Sequence, residues 1–146
     1  MTMRDEMLQE INRHAEQEYP EECCGMLLGK RRADDSEVEH VIAIDNSQGE
    51  NRKRRFLVTP EQYRQAEKEA ETMGSELLGF YHSHPDHPAI PSTFDTDHAL
   101  PWFAYLIVSV MNGKSGDATV WTLWEDRSRF DQVGLDVKKG IHAVRQ

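Results

Sequence analysis

Leu77-Leu78-Gly79-Phe80-Tyr81-His82-Ser83-His84-Pro85 is an apolar run that passes straight into two histidines and a proline. Read as a strand, it sends both imidazoles to the same face, because successive side chains alternate. A strand end with two imidazoles on one face can grip a metal ion. Pro85 stops the strand, and the loop from Asp86 to Pro91 carries two more prolines that stiffen it. Ser92-Thr93-Phe94-Asp95 then opens a helix.

Upstream, Met3, Met7, Leu8, Ile11, Ala15 and Tyr19 recur at helical spacing until Pro20, which predicts an amphipathic helix over about residues 3–18. Cys24 to Gly29 and Val38 to Ile44 are short apolar runs separated by the polar stretch Lys30 to Glu37, the pattern of a hairpin. Phe56-Leu57-Val58 reads as a further strand. Thr59-Pro60-Glu61-Gln62 offers an N-cap, a proline at the first helical position and a glutamine three residues after the cap. Tyr63, Ala66, Ala70 and Met73 continue that helix, Val58 can staple against Tyr63, and Gly74 ends it.

Downstream, Tyr105 to Val110 and Ala118 to Trp124 predict two strands joined by the turn-rich Asn112 to Asp117. No internal repeat, low-complexity tract or linker interrupts the chain, and the patterning weakens from about Val133. The expectation is an α/β fold with a mixed, largely antiparallel β-sheet flanked by helices. One domain is expected over residues 1–132, with a C-terminal extension over 133–146.

Composition narrows the function class. With 146 residues the chain suits one domain and one site, and its net charge of -9 repels a phosphate backbone, which argues against nucleic acid as a partner. No run approaches the roughly 18 to 20 apolar residues of a membrane helix, and the first residues form no signal core, so a soluble, cytoplasmic protein without a membrane partner is expected. The basic run Arg52-Lys53-Arg54-Arg55 is the exception to the acidity, and suits a solvated loop or a dock for an acidic protein. Cys23 and Cys24 are adjacent and too close for an ordinary disulfide, and they supply no Cys-x-x-Cys knuckle.

A catalytic zinc takes three protein ligands and keeps a position open for water. His82, His84 and a carboxylate meet that need, and Asp95 is the best placed carboxylate, since the first turn of a helix can aim its side chain back toward the strand end. Two histidines and one carboxylate also describe an iron(II) oxygenase triad. A zinc deaminase pairs its His-x-Glu with Cys-x-x-Cys, and the adjacent Cys23 and Cys24 supply no Cys-x-x-Cys. Ser92 and Asp95 taken alone read as a capping box. His14, His40, His87 and His142 read as surface histidines, Asp97 as a first-turn charge, and His98 as a helical neighbour of Asp95.

The spacing His82-Ser83-His84, seven residues, Ser92, two residues, Asp95 resembles the metal signature of the JAMM, or MPN-plus (Mov34/MPN), metalloproteases. Pro20-Glu21-Glu22-Cys23-Cys24-Gly25-Met26-Leu27-Leu28-Gly29 is similar to the first strand of that family, so the resemblance runs from the first helix to about Trp124. It implies an MPN/JAMM-like, cytidine-deaminase-like fold and one Zn2+ per chain held by His82, His84 and Asp95. Glu22 then stands at the place of the catalytic glutamate and Ser92 at that of the oxyanion-stabilising serine, with Cys24 as packing. The implied activity is hydrolysis of a peptide or isopeptide bond after the C-terminal Gly-Gly of a ubiquitin-like protein. A short stand-alone chain resembles the prokaryotic members, which points to a ubiquitin-like sulfur carrier as partner. The competing expectation is a metal-free scaffold of the same fold that binds partners.

Overall fold

The computed structural model describes residues 1–33, 35–44 and 59–139. Among these, strand β1 (Thr2–Arg4) leads into helix α1 (Asp5–Glu18), followed by the hairpin β2 (Cys24–Arg31) and β3 (Ser36–Ile44). Helix α2 (Pro60–Thr72), strand β4 (Glu76–Pro85) and the short helix α3 (Thr93–His98) come next. The chain continues as β5 (Ala104–Met111), β6 (Lys114–Leu123), β7 (Phe130–Val133) and β8 (Asp136–Lys138). The strands form one sheet in the order β7-β6-β5-β4-β2-β3-β1-β8. Its pairs are antiparallel except β4 with β5 and β1 with both β3 and β8. This is the mixed, largely antiparallel sheet expected.

The two long helices cover opposite faces because each sheet face is apolar and must be dried. α1 sets Met7, Ile11 and Ala15 against Leu27, Leu78, Leu106, Val108 and Val110. α2 sets Ala66 and Ala70 against Met26, Leu28, Leu77, Phe80 and Tyr105. The expected capping box starts α2: Gln62 N donates to Thr59 Oγ1 at 3.2 Å and Thr59 N to Gln62 Oε1 at 3.0 Å.

Three boundaries differ from expectation for identifiable reasons. The first helix begins at Asp5, not near residue 3, because Thr2–Arg4 pair with β3 and β8; Met3 reaches the core from a strand. The turn expected over Asn112 to Asp117 shrinks to Asn112-Gly113, both at positive φ (53° and 85°), which suits a two-residue hairpin turn whose twist matches the strands. Beyond residue 132 the chain stays in the sheet, since β8 pairs in parallel with β1. β7 and β8 escaped notice because short edge strands with exposed charges carry no apolar alternation. The expected strand Phe56 to Val58, the staple at Val58, the basic run Arg52 to Arg55 and His142 lie outside the described residues.

β4 and β5 approach closely at Gly79, where an added Cβ would stand 1.8 Å from the carbonyl oxygen of Ala104. That neighbour is backbone held in the sheet and cannot give way. Gly79→Ala is therefore expected to destabilise the fold by on the order of 3 kcal/mol, read as a lowered midpoint in urea unfolding; an unchanged midpoint would show that the strands can separate freely there.

His14 is not the free surface histidine expected. It is half-buried, its Nδ1 lies 2.7 Å from the Tyr81 hydroxyl, and the two rings meet edge to face at 5.8 Å. Burial lowers its pKa from 6.5, against a smaller opposing pull from Glu18. The unfolded chain therefore binds this proton more readily than the folded one. Stability contributed by neutral His14 is present above about pH 6.5 and declines as pH falls below it. Chemical unfolding between pH 7 and 5 is expected to show a steeper loss for the wild type than for His14→Gln, and equal slopes would refute this.

Candidate metal centre

In β4, Phe80 packs under α2 while Tyr81 packs under α1, so His82 and His84, in step with Phe80, stand on the α2 side of the sheet. Both are buried at the strand end. The polypeptide then turns through Asp86, at φ 59°, which its side chain secures: Oδ2 accepts from the Tyr19 hydroxyl at 2.7 Å and Oδ1 from Asn112 N at 2.8 Å.

α3 brings the carboxylate. Ser92 caps the helix, its Oγ accepting from Asp95 N at 3.1 Å, while Asp95 Oδ2 accepts from Ser92 N at 2.8 Å. This reciprocal box folds the Asp95 side chain back over the helix start and toward β4. The capping reading and the ligand reading of Ser92-x-x-Asp95 thus describe one geometry.

Three side chains converge as a result. His82 Nε2 lies 3.2 Å from His84 Nε2 and 3.3 Å from Asp95 Oδ1, and His84 Nε2 lies 3.2 Å from Asp95 Oδ2. The two imidazole nitrogens and the two carboxylate oxygens of Asp95 thus face one another at separations compatible with a small cation bound by three side chains. His84 Nδ1 is 2.8 Å from the Pro88 carbonyl oxygen. A carbonyl only accepts, so Nδ1 carries the hydrogen and Nε2 presents its lone pair to the cluster. His82, His84 and Asp95 form a set that could hold a metal ion among the described residues.

The electrostatics agree. Burial works against protonation of His82, but the Asp95 carboxylate beside it, with help from Glu22, holds its pKa above the ordinary value. Burial likewise pushes the Asp95 carboxyl up, yet His82 beside it and the Ser92 amide hold it far below the usual carboxylate range. The corner favours a positive charge between these groups.

Glu22 lies two residues ahead of β2. Cys24 is paired with His82, Cys23 N donates to Ser83 Oγ at 2.9 Å, and Ser83 N to the Cys23 carbonyl at 3.2 Å. Continuing that antiparallel register sets Glu22 opposite His84, on the histidine face, as alternation from Cys24 requires. Glu22 is 7% exposed, whereas Glu21 is more open. Glu22, His84 and Ser92 line one cleft, together with His87, Pro88 and Ile90. The buried polar and charged residues among those described are Glu22, His82, Ser83, His84 and Ser109, all in this corner.

Residues 4–124 match the family model for prokaryotic homologs of the JAB domain. The chain belongs to this family. It is 34% identical over 110 residues to a desampylase of Haloferax volcanii, covering 73% of this chain and 75% of that one. It is 36% identical over 101 residues to a probable TtuB-protein conjugate cleaving protease of Thermus thermophilus, covering 69% and 64% respectively. Its fold is that of a JAB1/MPN domain protein from Archaeoglobus fulgidus, with a TM-score of 0.62 at 18% identity over 94% of this chain and 99% of the other.

Other residues fall where this JAB-domain fold puts them. His98 Nδ1 bonds the Phe94 carbonyl at 2.9 Å and its ring stacks on Phe94, within its own helix. Asp97 is exposed and offers its carbonyl to Arg127. Cys24 is fully buried with Sγ against the Ile44 carbonyl, and burial pushes the Cys23 thiol up to about 12, so neither is a ready nucleophile. Sequence reasoning missed the pocket behind His82 and Asp95, walled by Tyr63, Phe94, Tyr105 and Phe130. Those aromatics come from α2, α3, β5 and β7, and no local pattern links them. No helix among the described residues is long and apolar enough to cross a membrane.

Proposed function

We propose that this chain is a zinc-dependent hydrolase that cleaves the peptide or isopeptide bond after the C-terminal Gly-Gly of a ubiquitin-like protein, a sulfur carrier. The relatives support the substrate class: their names describe a desampylase and a protease that cleaves TtuB-protein conjugates. The observation that carries the reading is the meeting of Glu22 with His84 and Ser92 on one cleft, beside the converging donors of His82, His84 and Asp95. A bare metal triad would not need a buried carboxylate outside the ligand set.

A zinc ion held by His82, His84 and Asp95 would supply Lewis acidity, lowering the pKa of water from 15.7 to about 7. Glu22 takes the proton of the attacking water as its oxygen bonds to the scissile carbonyl carbon. Ser92 Oγ already accepts from Asp95 N, which leaves its own hydrogen free to donate to the oxyanion that develops. Glu22 then returns the proton to the departing nitrogen as the C–N bond breaks. The water's oxygen and one hydrogen enter the Gly-Gly carboxylic acid and its other hydrogen the amine; at neutral pH the acid's proton ends on the amine, giving a carboxylate and an ammonium.

The test is direct. Zinc-loaded wild type and Glu22→Gln are incubated with ubiquitin-like carriers extended beyond Gly-Gly, and masses are followed. Trimming by the wild type alone is expected. No trimming of any extension together with no bound metal would return the chain to a scaffold role.

A further inference from the structure

Three consecutive carbonyls in the loop between β4 and α3 are each taken by a side chain. Ser109 Oγ donates to the His87 carbonyl at 2.6 Å, His84 Nδ1 to the Pro88 carbonyl at 2.8 Å, and Thr119 Oγ1 to the Ala89 carbonyl at 2.6 Å. The hydroxyls thus grip the backbone on both sides of the carbonyl that fixes His84. The Pro88 carbonyl also accepts from Ile90 N at 2.9 Å, which tightens the same turn.

Sheet register puts the hydroxyls there. His84 lies opposite Ser109 in the parallel β4–β5 pair, and Ile107 lies opposite Thr119 in the antiparallel β5–β6 pair. Both side chains therefore rise from the face that carries the histidines. Ser109 is 5% exposed between the fully buried Val108 and Val110, a place where an apolar residue would pack without needing a partner. Its hydroxyl bonds the loop instead. Trp121 Nε1 donates to Thr119 Oγ1 at 2.7 Å, filling a lone pair and leaving the Thr119 hydrogen for Ala89.

We propose that Ser109 and Thr119 are positioning residues for the metal centre. They hold the backbone of residues 87–89 so that the Pro88 carbonyl faces His84 Nδ1, which keeps the hydrogen on that nitrogen and Nε2 bare toward His82 and Asp95. Without that hold, the His84 ring can turn or exchange tautomer, and an N–H in place of a lone pair at Nε2 cannot bind a cation. The inference rests on the reading of His82, His84 and Asp95 as zinc ligands. Neither hydroxyl belongs to the ligand set itself, so their effect passes through the loop and the imidazole.

The test uses Ser109→Ala, Thr119→Val, the double variant and Thr119→Ser, with three readouts. These are the His84 tautomer in metal-free protein by imidazole ¹H–¹⁵N correlation, zinc affinity by chelator competition, and thermal unfolding. Wild type and Thr119→Ser are expected to show a single Nδ1–H tautomer. The folded double variant should show mixed tautomers and zinc affinity lower by about 10–100-fold, the usual effect of losing the partners that orient a ligand. Folded variants with the wild-type tautomer and affinity would overturn the proposal. Should the double variant not fold, the contrast between Thr119→Val and Thr119→Ser decides, and equal affinities for the two would refute it. A wild type that takes up no zinc defeats the zinc reading instead, and the tautomer comparison in metal-free protein then judges the positioning by itself.

Discussion

Glu22→Gln should lower kcat for an extended Gly-Gly substrate by about 10²–10⁴-fold while leaving one zinc bound per chain. The amide keeps the size of the buried side chain and removes only its basicity, so the fold has no cavity to tolerate. Glu22 stands outside the ligand set, on the cleft that it lines with His84. Metal content by mass spectrometry and turnover by product mass separate the two roles. Loss of zinc along with activity would make Glu22 a ligand, and full activity without its carboxylate would remove it from the chemistry. Glu21→Gln is the matched control, because the strand alternation that buries Glu22 leaves Glu21 more open.

Asp95→Asn is the second large effect. Asp95 provides one oxygen toward each histidine and also accepts from the Ser92 amide at the helix start. The asparagine oxygen preserves the cap, whereas the charge that pairs with His82 and a cation is lost. Zinc content is expected to fall to the background of the dialysed protein, and zinc-dependent cleavage with it. Thermal unfolding gives an independent reading. Zinc at about 100-fold above its dissociation constant should stabilise the wild type by about 2.7 kcal/mol, and Asp95→Asn by nothing measurable. A wild-type stability indifferent to zinc would show that the converging donors serve the fold alone.

The corner that carries these effects runs against the packing logic of the rest of the sheet. Elsewhere the sheet buries valine, leucine and phenylalanine, while here the buried set is Glu22, His82, Ser83, His84 and Ser109. Burying such groups costs free energy unless each is hydrogen-bonded or paired. The hydrogen bonds to Pro88, His87 and Cys23 and the Asp95 contacts meet that cost in part. A bound cation would meet the remainder by drawing in three electron-rich side chains whose facing atoms lie 3.2–3.3 Å apart.

Much of this was legible in the residues themselves. Strand alternation at Phe80-Tyr81-His82-Ser83-His84, the cap at Thr59-Pro60-Glu61-Gln62 and the helical period of Met7, Ile11 and Ala15 are local rules, and each appears in the fold where it was expected. Ser92 and Asp95 are also local, since a capping box acts over three residues. What lies beyond local rules came from tertiary pairing. Thr2–Arg4 and Asp136–Lys138 have no pattern of their own and become strands only by pairing, the first with β3 and β8 and the second with β1 at the sheet edge. His14 looked exposed until Tyr81 was folded against it. Glu22 meets His84 because β2 and β4 pair in one register, and a slip of one residue would have presented Glu21 instead. Ser109 and Thr119 are unremarkable in sequence, and only the β4–β5–β6 register lifts their hydroxyls to the loop that aims His84. The sequence by itself determined which residues could bind a metal, because ligand chemistry and spacing are local. The tertiary structure decided which groups serve them, because cross-strand register joins residues that no local period connects.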